Sequence, residues 1–331
     1  MSDKIKNKDP QQLRIIMLTR WQPWLIQAVN RLHREVGLDA VYFEEGKKSN
    51  RFAYLPKIVP DIGRGLIQLW SLLKKKFNVK QFIKPSCTHK TVQRKYMKKV
   101  YDELFIDPWN QIADSSLPVF KIEEKGFNSK DIKLRNPEII IVFGTSILPP
   151  EIIEIPSKIC LNLHSGLSPY YRGTHCSDWA IINDDIQNIG VTIHLLDPGI
   201  DTGPILAQAR PEILPTDTPY SIDMKLCVLG IDLIIKIISQ LIMGKCLCAR
   251  PQVQSVGKTY YMKHWTSKAE RLLASRLKRG HVNTLLKQET GLSQSKPIVP
   301  LSEALSEGNE KCYLWGLPFP QANILIPKTK I

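Results

Sequence analysis

Asn162, His164 and Asp201 are the residues of this sequence whose types and spacing suggest chemistry. Asn162 and His164 stand two apart at the end of the apolar run KICLNL (Lys158–Leu163). In a strand, side chains at i and i+2 point to one side. Both would then project together at the carboxyl edge of a sheet, where open α/β folds build their sites. Asp201 lies in DPGIDTG (Asp197–Gly203), between two apolar runs. A carboxylate on such a loop can reach an imidazole at a neighbouring strand end. An imidazolium and an Asn amide can donate to the oxyanion of a tetrahedral intermediate. A carboxylate can keep the histidine charged and help remove the proton of an attacking amine. The set suits acyl transfer to an amine with no covalent nucleophile.

A Gly- and Pro-rich loop follows His164 and suits close approach of backbone to a ligand. Ser165, Gly166, Tyr171, Arg172 and Gly173 on it are candidate substrate contacts. For Tyr171 and Arg172, fixing the loop is an equal use. Other sets carry less. His175 and Cys176 beside His164 lack a second pair at ligand spacing, so no metal is expected. His164 and Ser165 with Asp201 lack the G-x-S-x-G elbow of a serine hydrolase. His194, between Ile193 and Leu195, reads as a satisfied sheet histidine, and Asp197 as a turn former.

The elements that must position these residues alternate short apolar runs with helical patterns. This is the signature of an α/β fold with a mostly parallel, Rossmann-like sheet. Strands are expected at Leu13–Thr19, Leu38–Phe43, Val119–Ile122, Glu138–Phe143, Lys158–Leu163, Ile189–Leu196 and Pro204–Gln208. A helix bearing Leu25, Ala28, Val29, Leu32 and Val36 stops at Gly37, a C-cap glycine. Thr174–Asn183 reads as helical. Thr218 and Pro219 open a helix to about Met243, with Ile222, Leu226, Leu229, Leu233, Ile237 and Leu241 on its core face. A short strand pair is expected around Val253–Met262, then a basic helix at Ser267–Arg279. The turn TRWQPW after the first strand has no glycine to cradle a phosphate.

The chain has 331 residues, room for one large domain or two ordinary ones. With 43% hydrophobic and 23% charged residues, collagen and wholesale disorder are excluded. The greasiest stretch, Leu226–Met243, contains Asp232 and Lys236 and reads as a buried amphipathic helix, not a membrane span. The first ten residues lack an apolar run, and the seven cysteines are odd in number. No secretory leader and a cytoplasmic location are therefore expected. The formal net charge of +15 points to an anionic partner or to a solvated basic surface. From Arg64 to Lys99 there are eleven Lys or Arg and no Asp or Glu. Leu66, Leu69 and Leu73 suggest a helix there, ending in Lys74–Lys76. The expected organisation is an α/β catalytic domain at 12–215 with a basic insertion at about 46–115. A helical extension packs on it at 216–290, and a poorly ordered tail covers 291–331.

NLHSGLSPYYRG, followed 37 residues after His164 by the aspartate of DTG, resembles the folate-dependent formyltransferase family. That family includes glycinamide ribonucleotide, methionyl-tRNA and sugar N-formyltransferases. The resemblance covers Lys133 to Pro215 well and the first strands weakly. It implies catalytic roles for Asn162, His164 and Asp201 and 10-formyltetrahydrofolate as the donor, without a metal. The implied folate pocket lies in two loops: GTSILP, with Gly144, Thr145, Ile147 and Leu148, and the segment with Leu196, Asp197, Gly199 and Ile200. Ile147 and Leu148 would flank the pteridine. The first turn lacks the Gly-Ser-Asn loop of the glycinamide ribonucleotide enzymes. GLSPYYRG replaces the SLLPxWRG of the methionyl-tRNA enzymes, whose C-terminal β-barrel does not match this helical C-terminus. YYRG with DWAI is closer to proteins of the surface-sugar type. The implied acceptor is a primary amine on a small, phosphorylated molecule such as an amino sugar. Transfer RNA is the rival acceptor, drawing on Gly46-Lys47-Lys48, and a folate-binding protein without turnover is the rival of another class. A homodimer is left open.

Overall fold

In a computed structural model, residues 13–45, 111–122, 126–278, 280–289 and 305–306 are described. All fall within one compact unit, Met1–Glu45 with Asp107–Ile331. The basic segment at Arg64–Lys99, Gly46-Lys47-Lys48 and nearly all of the expected tail lie outside the described residues.

A seven-stranded sheet organises the unit. Its strands are β1 (Ile15–Arg20), β2 (Ala40–Glu44), β3 (Val119–Ile122), β4 (Ile139–Phe143), β5 (Ile159–His164), and β7 (Val191–Leu195) and β8 (Ile205–Ala209) after the short β6 (Tyr171–Gly173). The order is β3-β2-β1-β4-β5-β7-β8. The first five strands in that order are parallel. β7 runs antiparallel to β5, and β8 antiparallel to β7. The mostly parallel α/β fold read from the sequence is thus present, with an antiparallel pair at one edge.

Central strands are apolar along most of their length because both faces are covered. Ile15, Met17, Val41, Ile139, Ile141, Leu161 and Leu163 face one core, with residues of α1 (Pro23–Val36) and α5 (Pro219–Ile242). Ile16, Leu18, Ala40, Ile140, Val142 and Cys160 face the other, with residues of α2 (Ser129–Leu134) and α3 (Pro150–Ile153). Gly37 ends α1 by donating its N–H to His33 O. Thr218 caps α5 reciprocally with Ser221. Gly230 lets α5 close on the strand that carries the site: a Cβ there would lie 2.7 Å from Leu163 Cδ1.

The expected strand pair at Val253–Met262 is not formed. Only β10 (Lys258–Tyr260) is extended, and it pairs in parallel with β6, some 87 residues earlier. β9 (Cys246–Leu247) pairs with β11 (Leu305–Ser306). The basic helix is α6 (Ser267–Lys278), followed by α7 (His281–Glu289); α4 is Cys176–Ile182. No helix among the described residues is long and apolar enough to cross a membrane.

Candidate active site

Asn162 and His164 project side by side from the end of β5, and the loop after β7 folds back so that Asp201 meets both. Asn162 Nδ2 donates to Asp201 Oδ1 at 3.0 Å. His164 Nδ1 lies 3.3 Å from Asp201 Oδ2. The same Oδ2 accepts the backbone N–H of Gly173 at 2.8 Å. Burial alone would raise the pKa of Asp201. The charges of His164 and His194 and the Gly173 N–H outweigh it and hold the carboxyl well below the usual carboxylate range.

His194 is the site residue that the sequence reading set aside. It is fully buried and opposite Asn162 in the β5–β7 register. Its Nδ1 faces Leu195 O at 2.8 Å. A carbonyl only accepts, so Nδ1 carries a hydrogen. Asn162 Nδ2 meets Nε2 of the same ring at 2.9 Å. The Asn162 amide nitrogen is thus held inside the site, between Asp201 and His194.

His164 Nε2 faces Tyr171 O at 3.0 Å. With an acceptor at each ring nitrogen, the imidazole is satisfied when both carry hydrogen. Cys176 Sγ is 3.7 Å from His164 Nε2. Burial pushes the Cys176 thiol well up, so it packs as a neutral group and not as a nucleophile. Gly166 is required by this packing: a Cβ there would lie 2.2 Å from His164 Nε2 and 2.7 Å from Tyr171 O.

The loop candidates divide. Arg172 is 5% exposed. Its guanidinium donates to Gln254 Oε1 at 3.1 Å and to Gln254 O and Val256 O at 3.3 Å. Tyr171 donates its hydroxyl to Asp185 Oδ2 at 2.9 Å. Of their two open uses, both side chains take the loop-fixing one. Ser165 is partly exposed and Gly166 buried. Stacked rings hold the C-terminal segment against this loop: Tyr171 on Tyr260, Trp179 on Tyr260 and His175 on Trp265.

The implied folate loops also divide. Ile147 is 72% exposed, whereas Leu148, at 5%, is turned into the core with Ile152. The pair expected to flank one ring is split by strand-to-helix packing. Gly144 and Thr145 follow β4, where Ser146 N donates to Glu44 Oε2 at 2.8 Å. The Asp197 carboxylate accepts from Thr202 Oγ1 at 2.8 Å and from Gly199 N at 3.2 Å. It closes its own turn, and Leu196 and Ile200 stay partly exposed.

Residues 112–238 match the family model described as "Formyl transferase", which spans β3 to most of α5. This part of the chain belongs to the formyltransferase superfamily. The chain is 36% identical over 160 residues to the methionyl-tRNA formyltransferase of Thermodesulfovibrio yellowstonii, covering 46% of this chain and 51% of that one. The chain therefore spans about half the length of the curated relatives it matches. Solved structures are also similar. A sugar N-formyltransferase from Shewanella sp. has a TM-score of 0.45 at 16% identity, covering 79% of this chain and 87% of that one. An N-formyltransferase from Helicobacter canadensis, solved with folinic acid and dTDP-3-aminofucose, has a TM-score of 0.47 at 16% identity, covering 77% and 72%.

Proposed function

We propose that the protein transfers a formyl group from 10-formyltetrahydrofolate to a primary amine. The observation that carries this reading is the meeting of Asp201 with Asn162 and His164 inside a formyltransferase domain. The donor would lie against the loop after β4, where exposed Ile147 offers apolar surface, and against Leu196–Asp201. The polar edge of its ring would meet backbone groups there, because Asp197 already serves its own turn.

In the reaction the amine nitrogen bonds to the formyl carbon, and the bond from that carbon to the donor nitrogen breaks. One proton passes from the amine to the donor nitrogen. His164 is the group for the oxygen on which negative charge builds. At rest its Nε2–H serves the neutral carbonyl of Tyr171. An oxyanion is the stronger acceptor. The exchange is therefore most favourable when charge is greatest, which is transition-state stabilisation. Asp201, 3.3 Å from His164 Nδ1, holds the ring in place. Asn162, beside His164 at the end of β5, would help to bind that oxygen.

The acceptor that fits best is a small phosphorylated amine such as an amino sugar on a nucleotide. Support comes from the C-terminal region, where α6 and α7 are helices and not barrel strands. A second reading, transfer to aminoacylated tRNA, draws on the identity to methionyl-tRNA formyltransferases. The test is a panel of nucleotide-linked amino sugars and methionyl-tRNA, offered with labelled donor and read by mass spectrometry for one added formyl group. A steep fall of tRNA affinity with salt, near −0.7 in log–log slope per phosphate neutralised on a single strand, would favour the second reading. Product with neither acceptor class, while the folate binds, would favour a folate-binding protein without turnover.

A further inference from the structure

Asp201 sits at φ 52°, in the left-handed region that non-glycine residues seldom adopt. Something outside its own turn must hold it there. Three successive carbonyls of that turn, those of Asp201, Thr202 and Gly203, are each taken by a glutamine side chain. Gln252 Nε2 donates to Asp201 O at 2.8 Å and to Gly203 O at 2.7 Å. Gln254 Nε2 donates to Thr202 O at 3.1 Å. Only 8% of Gln252 is exposed, so little water competes for these carbonyls.

The chemistry of the two positions is restrictive. A primary amide carries two hydrogens on one nitrogen, which lets Gln252 bridge carbonyls two residues apart. Glutamate has no hydrogen to give there, and asparagine is one methylene shorter. The backbone that carries the glutamines is itself anchored. Ile205 of β8 exchanges two backbone hydrogen bonds of 2.7 Å with Arg250, two residues before Gln252. Arg172 grips Gln254 and Val256. Arg172 precedes Gly173, whose N–H holds Asp201 Oδ2. A closed ring results: carboxylate, Gly173, Arg172, Gln254, the Thr202 carbonyl, and Asp201 again.

We propose that Gln252, assisted by Gln254, is a positioning residue for formyl transfer, holding the Asp201 turn so that its carboxylate meets Asn162 and His164. The assignment rests on the formyl-transfer reading above. It makes the segment after α5 a working part of the site.

Gln252→Met tests it, because methionine fills similar volume and lacks both N–H donors; Gln252→Ala is the companion. With the amine accepted in the panel, Gln252→Met is expected to lower kcat about 10- to 100-fold, the scale of a small misplacement of a catalytic group. Affinity for 5-formyltetrahydrofolate should stay within about threefold, and activity should fall no further when the change is made in Asp201→Ala. An equal further loss in that background, an unchanged kcat, or a loss confined to folate affinity would overturn the proposal. If the wild type formylates no amine in the panel, formyl transfer itself fails. The geometry is then decided by NMR of ¹⁵N-histidine protein. Gln252→Met should shift the ring signals of His164 and His194 as Asp201→Ala does, and unshifted signals overturn it.

Discussion

Asn162 and His194 face each other across the β5–β7 pairing, and the amide of one meets the imidazole of the other at 2.9 Å. The asparagine cannot turn freely, because the same amide nitrogen also donates to Asp201. The site therefore contains two histidines around one carboxylate. His194 Nε2 is 3.4 Å from Asp201 Oδ1, as His164 Nδ1 is 3.3 Å from Oδ2.

Replacing His164 by Ala removes the donor for the developing oxyanion. The rate should fall by at least ~100-fold, the scale of losing one such donor. Titration with 5-formyltetrahydrofolate should give an affinity close to that of the wild type. Normal turnover in His164→Ala would remove the histidine from the mechanism.

Gly166→Ala should damage turnover through His164. The added methyl would lie 2.2 Å from His164 Nε2, so the ring or the loop must shift. Overpacking of this kind costs about 1–3 kcal/mol. Thermal unfolding should show that cost, and kcat should drop by more than the lost folded fraction explains. A variant with full activity would mean that the loop yields freely.

Asp201 links folding to acid. Its pKa is depressed in the folded state, so its contribution is present above the unfolded value of about 4 and is lost as pH falls toward the folded value. Denaturation midpoints should fall below about pH 5 in the wild type. The fall should be shallower in Asp201→Asn, and an equal slope in both proteins would show that another carboxylate governs the acid limb.

Asp223 on α5 acts in the opposite sense. Burial, with Asp178 adding its charge, pushes its pKa up to about 7, against the hydrogen bond from Ser177 Oγ at 2.5 Å. The folded state then holds a proton that the unfolded state releases above about pH 4. Stability from this group falls as pH rises from about 4 to about 7 and is level beyond. Asp223→Asn should unfold at a higher temperature than the wild type at pH 8, with the gain shrinking by pH 5. A lower midpoint at pH 8 would contradict the burial of a reluctant charge.

Much of this arrangement was legible in the sequence. The runs at Glu138–Phe143 and Lys158–Leu163 are apolar at consecutive positions, which marks strands covered on both faces, and N-x-H at the end of one placed two polar groups on one side. Gly37 and Thr218 marked helix ends by chemistry that acts within a few residues. His194 was missed because strand direction is not written in a strand's own pattern. Only the antiparallel pairing of β5 with β7 sets it opposite Asn162. Gln252 and Gln254 were missed because a polar residue in a loop has no periodicity to betray it, and their partners lie about 50 residues earlier. Ile147 and Leu148 are chemically alike, and only the packing of α3 decides that Leu148 turns inward.

The pairing of β10 with β6 also has a consequence for the birth of the protein. Asn162, His164 and Asp201 leave the ribosome well before Gln252, and Lys258–Tyr260 are made later still. A nascent chain ending near Ala249 carries Asn162, His164 and Asp201 and lacks the glutamines that hold the Asp201 turn. Vectorial synthesis thus separates the appearance of the reactive groups from the completion of the site, and a chain broken before residue 252 would hold the chemistry without the aim.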